Sequence, residues 1–366
     1  MKQISPLTYE WSRYNPRSQS DFNAHFVQSA AGAPGVLIDP LPFNEGDEAH
    51  VRSLGGVTAV VLTTAQHDRD AARCAATFEC PLLVPRAALP ALIEAGLSGA
   101  QPYRPEEELP AGLLAVPVPD GPSPGETALY SRAGGGTLIV GDAVLGKPLG
   151  ELSLLPKDWY DDIIKSARGL RALLARRVSH LLVAHGQSIL RDPAPLLQDL
   201  IYRHDPRAFL IKREELCWNP GRLQGSRFGS HVADYSRPLG LNVLDFALTS
   251  LPPGRQNFPL HRHDGEEEVF IITSGRGEVR TEQGTWPIEA GDVLAFPPRY
   301  QIAHAIANTG TEDLIFLALS APAETLEMID YPESGARMER TTYGKYRRFR
   351  LPQELDLDYW DGERVD

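Results

Sequence analysis

The chain has 366 residues, a mass of 40.2 kDa and 42% hydrophobic residues, about twice the ~100 to 200 residues of one domain, so two cores are expected. Its 36 basic against 48 acidic side chains leave a formal charge of −12, which repels polyanions and argues against nucleic acid or an anionic membrane surface as a partner. The amino terminus MKQISPLTYEWSRYN lacks the apolar core of ~7 to 15 residues of a secretion signal, and no apolar run approaches the ~20 residues that span a bilayer. Cys74, Cys80 and Cys217 show no CxxC spacing. These features lead us to expect a cytoplasmic protein with reduced thiols.

Between residues 22 and 185 short apolar runs alternate with helical patterns, the order of one layered α/β domain. Strands are expected at Phe26–Val27, Val36–Ile38, Val57–Leu62, Leu82–Val84, Leu113–Val118, Ala128–Ser131, Thr137–Val140 and His180–Val183. A helix should follow His67 with Ala71, Ala75 and Phe78 facing inward. Another is expected from about Asp158, as its cap, to Leu174, because Ile163, Ile164, Ala167, Leu170 and Leu174 recur at helical spacing. Prolines and a charged RHDP between Asp192 and Pro206 place the domain junction near Pro206, giving domains 1–205 and 206–366. From Leu239 to Ser320 short β runs are separated by turns such as SGRGE, EQGTW and NTGTE, which suits an antiparallel sandwich or small barrel. The last fourteen residues, from Gln353, hold six acids and one Arg and read as a solvated or edge-packing extension.

The chemistry concentrates in GRQNFPLHRHDGEEEVFIITSG. His261 and His263 lie two apart, so on a strand both imidazoles project from one face. Glu268 opens the next apolar strand and adds a carboxylate, with Glu266 and Glu267 as alternatives, since one step of register reverses the face. His304 follows in GDVLAFPPRYQIAHAIANTG. Three imidazoles and a carboxylate with one or two open positions suit a divalent transition metal, iron, manganese, zinc, nickel or copper, able to bind substrate or dioxygen. Without the later motif, His261 and His263 would read as surface residues beside an acidic run.

This second half resembles the cupin superfamily, with its G-x5-H-x-H-x3/4-E-x6-G and G-x5-P-x-G-x2-H-x3-N motifs. His261, His263, Glu268 and Gly275 match the first, with Gly254 one residue further from His261 than the pattern. Gly291, Pro297, His304 and Asn308 match the second, with Arg299 in place of a glycine and a turn two residues longer. The YPESG and YWDGE segments are similar to those trailing small cupins. The resemblance implies a jelly-roll (double-stranded β-helix) barrel, metal ligands His261, His263, Glu268 and His304, a small-molecule ligand, and a homodimer.

In the first half, TTAQHDRDA, DGPSPGETALY, VGDAVLG and VAHGQ occur in an order that resembles the metallo-β-lactamase fold, whose THxHxDH, GHTPGH, GD and GH motifs hold two metal ions. Thr64, Gln66 and Arg69 stand where histidines are expected, Pro122 replaces the next ligand, and only Asp68, Asp142 and His185 are retained. The resemblance implies an αββα sandwich that has lost its metals, Arg69 bringing a fixed charge to a cation's place. The expected fold class is therefore α/β plus all-β. Three functions follow: a metal-dependent cupin oxygenase or isomerase beside an inactive first domain, a non-catalytic module binding a small molecule or carbohydrate, or a hydrolase with one metal held by His67, Asp68, Asp142 and His185. AGGGT at 133–137 lacks the GK of a phosphate loop.

Overall fold

The computed structural model describes residues 1–220, 224–321, 327–340 and 346–350. The YWDGE segment and the acidic tail from Gln353 lie outside the described residues. The chain divides into two compact units, one of Met1–Leu210 with Pro238–Gly240, the other of Ile211–Arg237 with Leu241–Asp366.

In the first unit, strands β1 (Lys2–Ser5), β2 (Thr8–Asn15), β3 (Ser20–Gln28), β4 (Gly35–Ile38), β5 (Val57–Val61), β6 (Leu82–Pro85) and β7 (Gln101–Tyr103) form one sheet in chain order. It is antiparallel up to β4 and parallel from there on. Strands β8 (Glu108–Leu109), β9 (Leu113–Pro117), β10 (Thr127–Ser131), β11 (Thr137–Val140) and β12 (His180–Val183) form a second sheet. Alternation of side chains along each strand builds two cores from one sheet. Val27, Val36, Ile38, Ala59 and Val61 face Leu113, Ala115, Leu129, Ile139 and Leu182 of the other sheet. Phe26, Leu37, Val60 and Leu62 face the opposite way, onto Val51 of helix α1 (Asp47–Ser53), Ala71 and Cys74 of α2 (Ala71–Thr77), and Leu92 of α3 (Leu89–Glu94). Burial, with Asp70 beside it, pushes the Cys74 thiol up to about 12, leaving a packed and unreactive group.

Three expectations need correction. The hairpin of β1 and β2 and most of β3 precede the first expected strand. The helix expected from Asp158 to Leu174 is two helices, α4 (Ile163–Gly169) and α5 (Arg171–Leu174). Its cap is Asp162, whose extended backbone lets the side chain accept from the Ile164 and Lys165 amides, the normal work of an N-cap. Asp158 lies instead in a separate short turn, Lys157–Trp159. Among the described residues no helix is long and apolar enough to cross a membrane.

After helix α6 (Ala194–His204) the chain is fastened by Asp205, which is 1% exposed. Both its oxygens accept from Arg168 at 2.9 Å, while Arg171 donates to the carbonyls of Ala208 and Leu210, each at 2.8 Å.

The second unit has no helix beyond single turns among its described residues. Strands β13 (Asn219–Pro220), β14 (His231–Asp234), β15 (Asp245–Leu251), β16 (Arg262–His263), β17 (Glu267–Ser274), β18 (Arg276–Thr281), β19 (Gly284–Glu289), β20 (Val293–Phe296), β21 (His304–Ala307), β22 (Leu314–Ala321), β23 (Glu327–Tyr331), β24 (Ala336–Arg340) and β25 (Tyr346–Arg350) form three sheets, ordered β13-β14-β15-β22-β17-β20, β19-β18-β21 and β16-β23-β24-β25. Leu251, Phe270, Ile272, Leu314 and Phe316 of the first sheet meet Val279, Ile288 and Ile306 of the second in one core, so the unit fits a cupin barrel. Gly275 turns β17 into β18 at φ +83°, and a Cβ there would lie 2.5 Å from the Asp313 carbonyl oxygen, so only glycine serves.

Breaking a buried charge pair from one side leaves a bare charge, so Asp205→Ala should cost about 3 kcal/mol in urea unfolding. Burial opposes ionisation of Asp205, yet Arg168 outweighs it and lowers the carboxyl. The stabilisation is therefore complete above the unfolded aspartate value of about 4 and fades as pH falls through the depressed folded value. Equal urea midpoints for the two proteins at pH 7 would contradict this account.

Candidate metal centres

In the barrel, His261 and His304 are cross-strand partners that exchange both backbone hydrogen bonds, His304 N to His261 O at 2.8 Å and the reverse at 3.2 Å. That pairing brings opposite side chains to ~5 Å, and the ring centroids lie 4.8 Å apart. The longer turn before His304 is taken up at Gln301, in the left-handed region at φ +50°. His263 lies two residues beyond His261, its ring 5.1 Å from that of His261.

Glu268, at the start of β17, aims Oε2 into this cluster, 3.0 Å from His304 Nε2, 3.3 Å from His263 Nε2 and 3.9 Å from His261 Nε2. Glu267 is exposed, and Glu266 turns to Arg340 at 2.6 Å. One ligand atom from each of His261, Glu268 and His304 lies within 4.8 Å of the others; His263 joins through its contact with Glu268.

The outward nitrogens fix which atoms face the centre. His261 Nδ1 donates to the Pro259 carbonyl at 3.0 Å, His304 Nδ1 to Ile302 O at 3.4 Å, and His263 Nδ1 to the Glu327 carboxylate at 3.1 Å. With Nδ1 engaged outward, each Nε2 points inward; on His263 that atom becomes a ligand once its second proton leaves, the exchange metal binding requires. The inner atoms His263 Nε2, His304 Nε2 and Glu268 Oε2 are buried and, despite their short separations, none has a hydrogen bond of acceptable direction. Convergent, unsatisfied donor atoms of this kind are what a cation requires.

Glu327 was not foreseen from the sequence. It is fully buried on β23 and also accepts from the Asp264 and Gly265 amides. No motif marks it, since it lies 64 residues from His263. Asn308 holds the turn after β21, donating to the Leu251 and Glu312 carbonyls and accepting from the Gly310 amide.

Burial, reinforced by His304, pushes His261 down to about 4. Burial also opposes charge on His263, but Glu268 and Glu327 outweigh it and raise that ring to about 10. Glu268 is held far below the usual carboxylate range by His263 and His304, against its own burial.

The first unit gathers His67, Asp142 and His185, whose ligand atoms lie within 4.8 Å of one another. Asp68 stays outside, its carboxylate accepting from the Arg69 amide. Asp39, also unforeseen, accepts from Thr63 N, Thr63 Oγ1 and His67 Nδ1 at 2.8, 2.5 and 2.8 Å. His67 Nε2 faces His185 Nε2 at 3.2 Å and Asp142 Oδ1 at 3.4 Å. Satisfying these neighbours puts a proton on both His67 nitrogens, and Asp39 outweighs burial to raise the ring to about 9.

Unlike the barrel's inner atoms, those of His67, Asp142 and His185 already have protein partners, and the Arg69 guanidinium stands 3.3 Å from His185 Nε2. These residues do not fit a metal ion as they are arranged. Glu126 accepts from the Asp142 and Ala143 amides, and burial with Asp142 nearby raises it to about 8. A cavity of about 740 Å³ opens beside Glu126 and Ser123, yet His67, Asp142 and His185 do not line it.

Residues 1–203 match the family model of the metallo-beta-lactamase superfamily, and residues 247–320 match the cupin domain. The chain belongs to the metallo-beta-lactamase superfamily and carries a cupin domain in its second half. Over 105 residues it is 35% identical to an oxalate-binding protein of Thermotoga maritima, covering 27% of this chain and 84% of that protein. It is 36% identical over 88 residues to a glucose-6-phosphate isomerase of Pyrococcus abyssi, spanning 21% of this chain and about half, 46%, of the isomerase. A solved putative sugar phosphate isomerase from Acidithiobacillus ferrooxidans aligns over 41% of this chain and all of its own, with 26% identity and a TM-score of 0.36.

In metal-stripped protein, His263 should hold its proton until about pH 10 while His261 stays neutral down to about pH 4. The charge on His263 adds stability that is whole below the unfolded histidine value of about 6.5 and is lost as pH rises through the folded one. Long-range proton–nitrogen NMR correlations read both rings, and near-identical titrations close to pH 6.5 would refute the arrangement.

Proposed function

We propose that the barrel is a metal-dependent site in which His261, His263, Glu268 and His304 hold one divalent transition metal, and that the ligand is a small oxygenated molecule. Four donors leave one or two positions of a five- or six-coordinate ion for that ligand. The observation carrying this reading is the set of buried inner atoms without hydrogen bonds, combined with the engaged Nδ1 of every ring. When bound, the metal supplies Lewis acidity for polarising a carbonyl, or a place for dioxygen. The chain's own part is to orient the imidazoles through Pro259, Ile302 and Glu327, and to wall the site with Phe258, Phe270, Phe296 and Tyr331, whose rings lie against His261 or His304.

Similarity to an oxalate-binding protein and a glucose-6-phosphate isomerase supports an anionic, oxygen-rich ligand and, with turnover, isomerase or oxygenase chemistry. A binding module without turnover is the second reading, favoured by the Thermotoga relative's being a binding protein. Residues 1–205 would act as a metal-free αββα sandwich and 206–366 as the working cupin module. Half-buried Val269, Ile271, Leu317 and Leu319 beside exposed Val293 on the outer sheet face support pairing of two copies.

Metal analysis of untagged protein should find about one ion per chain, abolished in a His261→Ala, His263→Ala double variant; equal contents would refute the site. Glu327→Gln cannot accept from His263 as a carboxylate does, and should weaken metal affinity about 10- to 100-fold while the barrel still folds. Unchanged affinity by calorimetric titration would show that Glu327 has no part in orienting the ring.

A further inference from the structure

The first unit buries several metal-ligating groups and then seats a side chain among them. Arg69 follows the short turn Ala65–His67 with its backbone at φ +30°, a conformation that non-glycine residues adopt only when their surroundings hold them there. One guanidinium nitrogen donates to the Asn23 carbonyl at 3.1 Å and to the Asp39 carbonyl at 3.4 Å, and the other lies 3.3 Å from His185 Nε2. The guanidinium carbon stands 5.1 Å from the centre of the Phe22 ring, whose plane meets the His185 ring edge-on at 4.3 Å. Arg69 thus ties together Asn23 of β3, Asp39 just after β4 and His185 just after β12, which belong to both sheets of the unit.

We propose that Arg69 is a resident cation: its guanidinium holds the Asp39, Asp142, His67 and His185 cluster closed, and without it the same side chains would take up a divalent metal. Two nearby carboxylates, Asp39 and Asp142, need positive charge, because ionised groups removed from water are stable only when paired. The charged guanidinium meets that need. A fixed cation at His185 also repels an incoming one, since like charges in a low dielectric act strongly at such range. Arginine suits the task better than lysine, because its planar fork reaches three partners at once.

Removing the side chain leaves the carboxylates short of one positive charge and clears the space before His185 Nε2. Zinc or manganese can then gather His67, Asp142 and His185, whose ligand atoms already lie within 4.8 Å of one another.

The test uses the full chain carrying His261→Ala and His263→Ala, so that the barrel contributes no metal and the outcome is independent of the barrel reading. Arg69→Met, which keeps the bulk of the side chain, and Arg69→Ala are each dialysed against zinc and compared with the Arg69 parent. The expected result is about one zinc per chain in either variant, none in the parent, and a melting temperature that zinc raises only in the variants. Adding His185→Ala should abolish the gain, and Arg69→Lys, which keeps the charge, should stay closed. Folded variants that take no zinc, or a parent that takes as much, would overturn the proposal. If the variants fold only when zinc is supplied during expression and hold it afterwards, the result supports it; variants that stay unfolded with zinc present count against it.

Discussion

The barrel site depends on one backbone contact, the pair of hydrogen bonds between His261 and His304. Because strand partners present side chains on the same face, that contact fixes two imidazoles side by side before any ligand is considered. His263 inherits its face from the two-residue period of the strand, and Glu268 from its place at the start of β17. Four groups far apart in the sequence thus share one small volume as a consequence of sheet register. The buried inner atoms then lack partners, a condition costly enough that the folded chain must offer something in return.

Both clusters join histidines to a carboxylate, and they differ in whether the inner atoms already have partners. In the barrel, carbonyls and one carboxylate outside the ring of ligands engage each Nδ1, leaving the inner nitrogens of His263 and His304 without a partner. In the first unit, Asp39 lies outside His67 while His185 and Asp142 lie inside, and both nitrogens of His67 become donors. Arg69 completes the contrast by adding a permanent charge at the centre. Ligand chemistry here is decided by the surrounding partners more than by the presence of histidine and a carboxylate.

That distinction explains what the sequence revealed. Strands such as Val36–Ile38 and Val57–Val61 were legible because continuous β-branched runs mark strands buried on both faces. His261, His263, Glu268 and His304 were legible because short-range spacing and turn glycines carry their geometry. The strand Thr8–Asn15 was not, although Tyr9 and Trp11 alternate with Glu10 and Ser12 and Ser5-Pro6 and Asn15-Pro16 bracket it, because most of its side chains are polar and no apolar run marks it. Asp162 and Asp158 are equivalent in sequence, and only the extended backbone at Asp162 makes it the cap. Asp39 and Glu327 left no local signal, since each acts on a histidine through a contact made only after folding.

Glu327 carries a consequence for the limits of the cupin module. The segment that matches the cupin domain ends at residue 320, yet the carboxylate that orients His263 comes from β23 beyond it, in the sheet that also contains β16. Glu327 accepts from three donors, His263 Nδ1 and the amides of Asp264 and Gly265, and hydrogen bonds to a charged acceptor contribute roughly 1.5 to 3 kcal/mol each. Without β23, His263 would lose the partner that holds its proton on the outer nitrogen, and its ring could present either nitrogen to the centre. The family segment brings the ligands together; the strands after it determine which lone pair His263 offers.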